Sequence, residues 1–143
     1  NSSRNDSMTT SQERTKYCLD TNFIIELLSG KNNAVLVYEE IKDSPLTITA
    51  ISSVALFEIL RGKEQNQAKI QKFEELRKTL EVLPFGEKEA EEASQTEKTI
   101  HEKGLDIKID DLLIGATAKT HGAILITNDR GFNNFEGLQL RTY

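Results

Sequence analysis

The chain has 143 residues, 37% hydrophobic and 29% charged, which suits one globular domain whose core needs neither a disulfide nor a structural metal. Its formal charge of −5 and single Cys exclude nucleic-acid binding by bulk charge alone, a disulfide framework and a Cys-rich zinc site. No apolar run approaches a membrane span or a signal-peptide core, so the expected compartment is the cytoplasm and no membrane partner is expected.

Residues 1–14 are polar, rich in Ser, Thr and Asn, and read as a disordered lead-in or an upstream remnant. A single domain is expected over 15–143. Tyr17-Cys18-Leu19 is a short buried strand ending at Asp20. Phe23, Ile24, Leu27 and Leu28 recur at helical spacing, and Gly30 stops that helix. A second helix covers about 33–42, with Ala34, Val37, Tyr38 and Ile41 on one face. Pro45 breaks it, and Leu46–Thr49 reads as a strand. Ser52 or Ser53 caps a helix that runs to Arg61 and ends at Gly62.

A long helix is expected at about 64–80, striped by Phe73, Leu76 and Leu80. Val82 and Leu83 form a short strand before Pro84. Residues 87–103 are a charged helix whose buried side is Ala90, Ala93 and Ile100. Its Glu-rich run reads as a solvated face. Asp110 and Asp111 open a compact helix ending at His121 and Gly122. Ala123–Ile126 and Leu138–Leu140 are the last strands. Strands alternating with helices predict an α/β domain with a mostly parallel sheet and helices on both faces.

Four carboxylates occupy unusual places. Asp20 directly follows an apolar strand, where parallel α/β sheets line their ligand crevice. It is equally suited to cap the next helix. Glu58 lies in Val54-Ala55-Leu56-Phe57-Glu58-Ile59-Leu60, a helix apolar nearly all round and so expected to be largely buried. A carboxylate there is costly unless paired with Arg61 or bound to a cation. Asp111 begins a face continued by Ile114, Gly115 and Ala118, which points it inward, while Asp110 reads as the N-cap. Asp129 follows another apolar strand, in Thr127-Asn128-Asp129, where it also suits a turn.

If the strands are parallel neighbours, the four acids converge on one crevice. Bare anions in one small site raise one another's pKa, and a hard divalent cation resolves that conflict. Oxygen-only ligands favour Mg²⁺ or Mn²⁺, and such a site suits hydrolysis of a phosphodiester.

Leu19-Asp20-Thr21-Asn22, Glu58-Ile59-Leu60-Arg61-Gly62, Asp111-Leu112-Leu113-Ile114-Gly115-Ala116 and Thr127-Asn128-Asp129-Arg130-Gly131-Phe132 resemble, in order, the motifs of PIN-domain ribonucleases. The short single-domain form is similar to the VapC toxins of VapBC toxin–antitoxin systems, and the resemblance covers roughly residues 16–143. It implies a three-layer α/β/α domain and Mg²⁺- or Mn²⁺-dependent endoribonuclease activity on RNA. It also implies a homodimer and a VapB-like antitoxin partner. By motif, Asp20, Glu58, Asp111 and Asp129 form the metal-binding catalytic quartet. Thr127 supports the cluster through its hydroxyl, and Asn22 orients Asp20. Gly115 stands where Ala is more usual, which reads as a conservative departure.

Arg61, Lys63, Lys108 and Arg130 lie near these acids and are candidates to hold RNA phosphates. Cys18 reads as a buried core thiol, and His101 and His121 as helix-end or surface residues. Ile25, Val35 and Leu36 fall off the main helix faces and are expected at an antitoxin groove or dimer contact. Competing readings are a PIN nuclease of RNA processing, a non-catalytic PIN module, and a signalling receiver domain. The receiver wants paired early acids and a late Lys, against the unpaired Asp20 and late Asp129 seen here. Setting the quartet aside leaves the rest of the chain at −1, so most of the acidity is assigned to one site.

Overall fold

A computed structural model describes residues 14–62 and 66–143. Nearly all of the stretch expected as a lead-in, and Lys63, lie outside the described residues. The elements are β1 (Thr15–Leu19), α1 (Thr21–Leu28), α2 (Asn32–Lys42), β2 (Thr47–Ser52), α3 (Ser53–Arg61), α4 (Gln67–Arg77), β3 (Glu81–Leu83), α5 (Glu87–Glu102), α6 (Ile109–Thr120), β4 (Ile124–Ile126), a 3₁₀ turn (Arg130–Asn134) and β5 (Leu140–Arg141). All five strands are parallel, in the order β3-β2-β1-β4-β5.

That order follows from connection handedness. From β1 the chain steps outward through β2 to β3, then returns past β1 to β4. Right-handed crossovers place the helices of the outward steps on one face and those of the return on the other. Accordingly α1 packs on α2, and α5 packs on α6. The result is the three-layer α/β/α domain expected. The reversal between β1 and β4 is the switch point where parallel sheets open a crevice at their carboxyl ends.

The main core joins Cys18, Leu19, Ile51, Leu125 and Ile126 of the sheet to Phe23, Ile24, Phe73 and Ile114. A smaller cluster of Ala93, Leu112, Ala116 and Phe135 cements α5, α6 and the 3₁₀ turn. Helix α6 contributes to both clusters, which explains its unbroken buried run from Ile114 to Ala118.

Several expectations need correction. Helix α3 is only half-buried: Ala55 alone is in the core, and Phe57 faces out. On α5 the inward face is Glu89, Ala93, Thr96 and Ile100, while Ala90 is exposed. The Glu-rich run is therefore not wholly solvated. Glu89 accepts hydrogen bonds from Gly86 N (2.9 Å) and Thr120 Oγ1 (3.0 Å) and sits 2.9 Å from His121 Nε2. Glu92 meets Lys119 Nζ at 2.9 Å. These acids tie α5 to α6. Gly115 is no conservative stand-in for Ala: a Cβ there would come within 2.4 Å of Phe135 Cε2. The glycine is the socket into which the Phe135 ring packs.

Candidate active site

The site forms where strands end. Asp20, the first residue after β1, is 4% exposed. Its Oδ1 accepts the Thr21 N–H at 2.9 Å, and its Oδ2 accepts the Thr127 hydroxyl at 2.7 Å. Thr127 is the first residue after β4 and is itself buried. Its Oγ1 also accepts the Asp129 N–H at 3.0 Å. One hydroxyl thus joins the end of β1 to the loop bearing Asp129. Asp129 caps the 3₁₀ turn, taking the Gly131 N–H on Oδ1 at 2.8 Å.

Helix α3 starts without a linker because Ser52 both ends β2 and caps the helix through Ala55 N. This brings Glu58 over the carboxyl end of the sheet. Its Oε1 accepts the Thr21 hydroxyl at 2.7 Å, and Arg61 is not its partner. Asp111 lies in the first turn of α6, half-buried and beside Asp129.

The quartet is therefore gathered from four elements. A cleft of about 770 Å³ opens over it, lined by Asp20, Glu58, Asp110 and Asp111 together with Thr21, Asn22, Val54, Phe57, Arg61 and Ile109. Asp129 adjoins Asp111 just beyond that lining. A Cβ on Gly131 would stand 3.2 Å from Asp129 Oδ1 and 3.8 Å from Asp111 Oδ2. Glycine keeps the ground between those two carboxylates clear.

Two supporting roles differ from expectation. Asn22 reaches the cleft but makes no hydrogen bond to Asp20; the adjacent Thr21 orients both Asp20 and Glu58. The readable signal was a hydroxyl residue directly after a strand-end acid. Asp110 is not the N-cap, because α6 begins at Ile109 with Lys108 in the cap position. Asp110 instead enters the cleft as a fifth acid and crowds Glu58. Its spacing of three and four residues from Leu113 and Ile114, which line the same cleft, was the available clue.

The electrostatics are those of anions lacking a counter-ion. Burial is the largest cause lifting the Asp20 carboxyl, partly offset by Thr127 and Thr21 and reinforced by Asp129 and Asp110. Burial also raises Glu58, with Asp110 adding to it. Asp111 is pushed up to about 7, first by burial and then by Asp129, Asp110 and Asp20. Among the described residues, none of these five acids forms a salt bridge.

The donor set is all oxygen, which suits a hard divalent cation, as does the open ground over Gly131. Among the described residues, no three acid, His or Cys side chains are already drawn around a single point.

Of the cation candidates, Arg61 lines the cleft. Lys108 and Arg130 are exposed beside Asp110 and Asp129 without lining it. Cys18 is a fully buried core thiol pushed up to about 12, first by burial, and is no nucleophile. His101 and His121 sit at helix ends, as expected.

A parallel sheet with acids at its switch point defines a class, and comparison places the chain within it. The PIN domain family matches residues 17–138, and the chain belongs to that family. It is 32% identical over 131 residues to Ribonuclease VapC1 of Rickettsia felis, covering 87% of this chain and 93% of that protein. It is 32% identical over 129 residues to Ribonuclease VapC of Rickettsia bellii, covering 87% and 93% respectively. Among solved structures, it resembles a chain of Rickettsia felis VapBC2 bound to a promoter DNA fragment. There the TM-score is 0.80 and identity 25%, over 90% of this chain and 99% of that one. VapBC-1 of nontypeable Haemophilus influenzae gives a TM-score of 0.77 and 27% identity, over 90% and 98%.

Proposed function

We propose that this protein is a divalent-metal-dependent endoribonuclease, the VapC-like toxin of a toxin–antitoxin pair. The observation that carries the reading is the convergence of Asp20, Glu58 and Asp111 on one cleft, with Asp129 against Asp111 just beyond its lining, and no cation paired to them among the described residues. The relatives named ribonucleases span nearly the whole chain, which supports RNA as substrate.

Asp20, Glu58, Asp111 and Asp129 would hold Mg²⁺ or Mn²⁺, with Asp110 close enough to add charge. Bound there, the ion supplies Lewis acidity and a water of lowered pKa for in-line phosphodiester hydrolysis. The rest is done by the chain. Thr127 holds Asp20 and the Asp129 backbone at a fixed spacing, and Thr21 holds Asp20 and Glu58. Burial of Asp20 limits the screening of its charge by bulk water. Arg61 meets an RNA phosphate at the cleft rim, with Lys108 and Arg130 placed to follow the strand outside it.

A VapB-like antitoxin is the natural partner, since the structural relatives are VapBC assemblies. Its seat is an apolar groove of about 240 Å³ between α1, α3 and α4, lined by Ile25, Leu28, Ile59, Ile70 and Phe73. The active form is a homodimer working in the cytoplasm. Among the described residues, no helix is long and apolar enough to cross a membrane.

Asp20→Asn should abolish both Mn²⁺-dependent RNA cleavage and the rise in melting temperature that Mn²⁺ produces in the parent chain. Retention of both would overturn the assignment.

A further inference from the structure

The acids account for the floor of the cleft but not for its wall. Phe57 lines it while 58% exposed, and Ile109, opposite on α6, lines it while 64% exposed. Val54, one turn before Phe57 on α3, adds to the apolar lining. Large apolar side chains left bare beside a cluster of carboxylates are poorly placed for folding, since neither gains core contacts.

Arg61, one turn after Phe57, carries its guanidinium 5.5 Å from the centre of that ring. The ring therefore holds this cation at the rim by a cation–π contact. No described acid pairs with it, and it lines the same cleft as Phe57.

We infer that Phe57 is a substrate-binding residue, a platform on which a nucleobase flanking the scissile phosphate stacks. This rests on the ribonuclease reading and names how that site grips its RNA. The chemistry of the occupant is set by the wall and its neighbours together. A nucleotide has a flat apolar face for Phe57, an anionic phosphate for Arg61, and a reacting phosphate to be held over the acids. The base must be unstacked from its neighbours to lie against the ring, so a duplex cannot supply it without opening. Ile109 of α6 adds a second exposed apolar side chain to the lining of the same cleft.

The test uses the cleavage-dead Asp20→Asn chain, titrated with a fluorescent single-stranded adenylate oligomer and with its abasic counterpart. The parent Asp20→Asn chain should prefer the adenylate oligomer by on the order of ten- to a hundredfold, the range of base–aromatic stacking. Adding Phe57→Ala should erase that preference, Phe57→Trp should keep it, and Phe57→Leu, which retains apolar area without a ring, should lose most of it. In the chain with Asp20 intact, Phe57→Ala should raise KM for single-stranded RNA far more than it lowers kcat.

An unchanged adenylate-to-abasic ratio in Phe57→Ala would overturn the inference while leaving the nuclease reading intact. So would a change in self-association or antitoxin binding with RNA affinity unaltered, since Phe57 would then belong to a protein interface. Absence of any RNA cleavage by the intact chain would instead fell the ribonuclease reading, and the platform with it. Phe57 is exposed, so its replacement should leave the melting temperature nearly unchanged, which separates binding loss from unfolding.

Discussion

Two threonines do more to define the site than its acids' own neighbours suggest. Thr127 bridges Asp20 and Asp129, and Thr21 bridges Asp20 and Glu58. The acids were legible in the sequence because a charged residue directly after an apolar strand, or inside an apolar helix, has few inexpensive explanations. Thr21 carries a fainter signal, a hydroxyl directly after a strand-end acid, because a threonine at a helix start is ordinary in any protein. Asp110 reads as a cap because Asp near a helix start is a preferred cap residue, and the first turn of α6 shows that Lys108 holds that place.

The raised carboxyls give the metal-free protein a definite pH response. A carboxyl whose folded-state pKa lies above its unfolded value contributes stability in its protonated form. That contribution is complete below the ordinary carboxylate range and is lost as pH rises through the folded value. For Asp111 the window runs from about 4 to about 7. In chelator, the melting temperature should therefore fall as pH rises from 5 to 8, beyond the trend of the Asp111→Asn variant. Saturating Mn²⁺ should flatten the slope, because the cation takes the place of the proton. Equal slopes for parent and variant in chelator would show that Asp111 is not under this strain.

At the scale of elements, chain order and helix faces were readable from spacing, and most boundaries held within a few residues. What failed was the detail of helix against helix. The α5 sequence offers Ala90 and Ala93 as inward residues, yet the face that meets α6 is set by Glu89 with its partners Thr120 and His121 and by Glu92 with its partner Lys119. A glutamate turned inward is invisible to a pattern that counts apolar residues. Gly115 shows the same limit: whether Gly or Ala fits depends on Phe135, which is distant in sequence and meets α6 only after the 3₁₀ turn folds back. Helix propensity alone favours Ala by about 1 kcal/mol. Displacing the Phe135 ring costs more, as overpacking costs about 1–3 kcal/mol. Gly115→Ala should therefore destabilise the protein in urea titration, and Gly115→Ala with Phe135→Leu should recover part of the loss. A more stable single variant would refute the socket.

Across the whole molecule, the parallel order β3-β2-β1-β4-β5 places the reversal between β1 and β4 under the acids, so fold and site have one cause. The surplus apolar residues identified in the sequence also have a location. Ile25 is 47% exposed at the lip of the α1–α3–α4 groove, and Leu36 is 60% exposed on α2, while Val35 is half-buried. Ile25→Asp and Leu36→Asp should weaken antitoxin capture or dimerisation, measured by sedimentation, with melting temperature held close to the parent's. Undiminished association would remove both residues from the interface.

The hydrogen bond between Asp20 and Thr127 spans 107 residues of chain. Its length matters most while the protein is being made. At roughly 5–20 residues per second, synthesis takes on the order of 5–20 seconds to pass from the first partner to the second. During that interval β1 can pair with β2, and α1 to α4 can begin to condense, but β4 and the loop carrying Asp129 do not yet exist. Asp20 has no Thr127 to hold it, Asp111 is absent for most of the interval, and Asp129 is absent for all of it. A nascent chain of this topology therefore emerges beside the ribosome's own RNA with its acidic cleft unassembled, and gains the complete set of acids only once the second half of its sheet has docked.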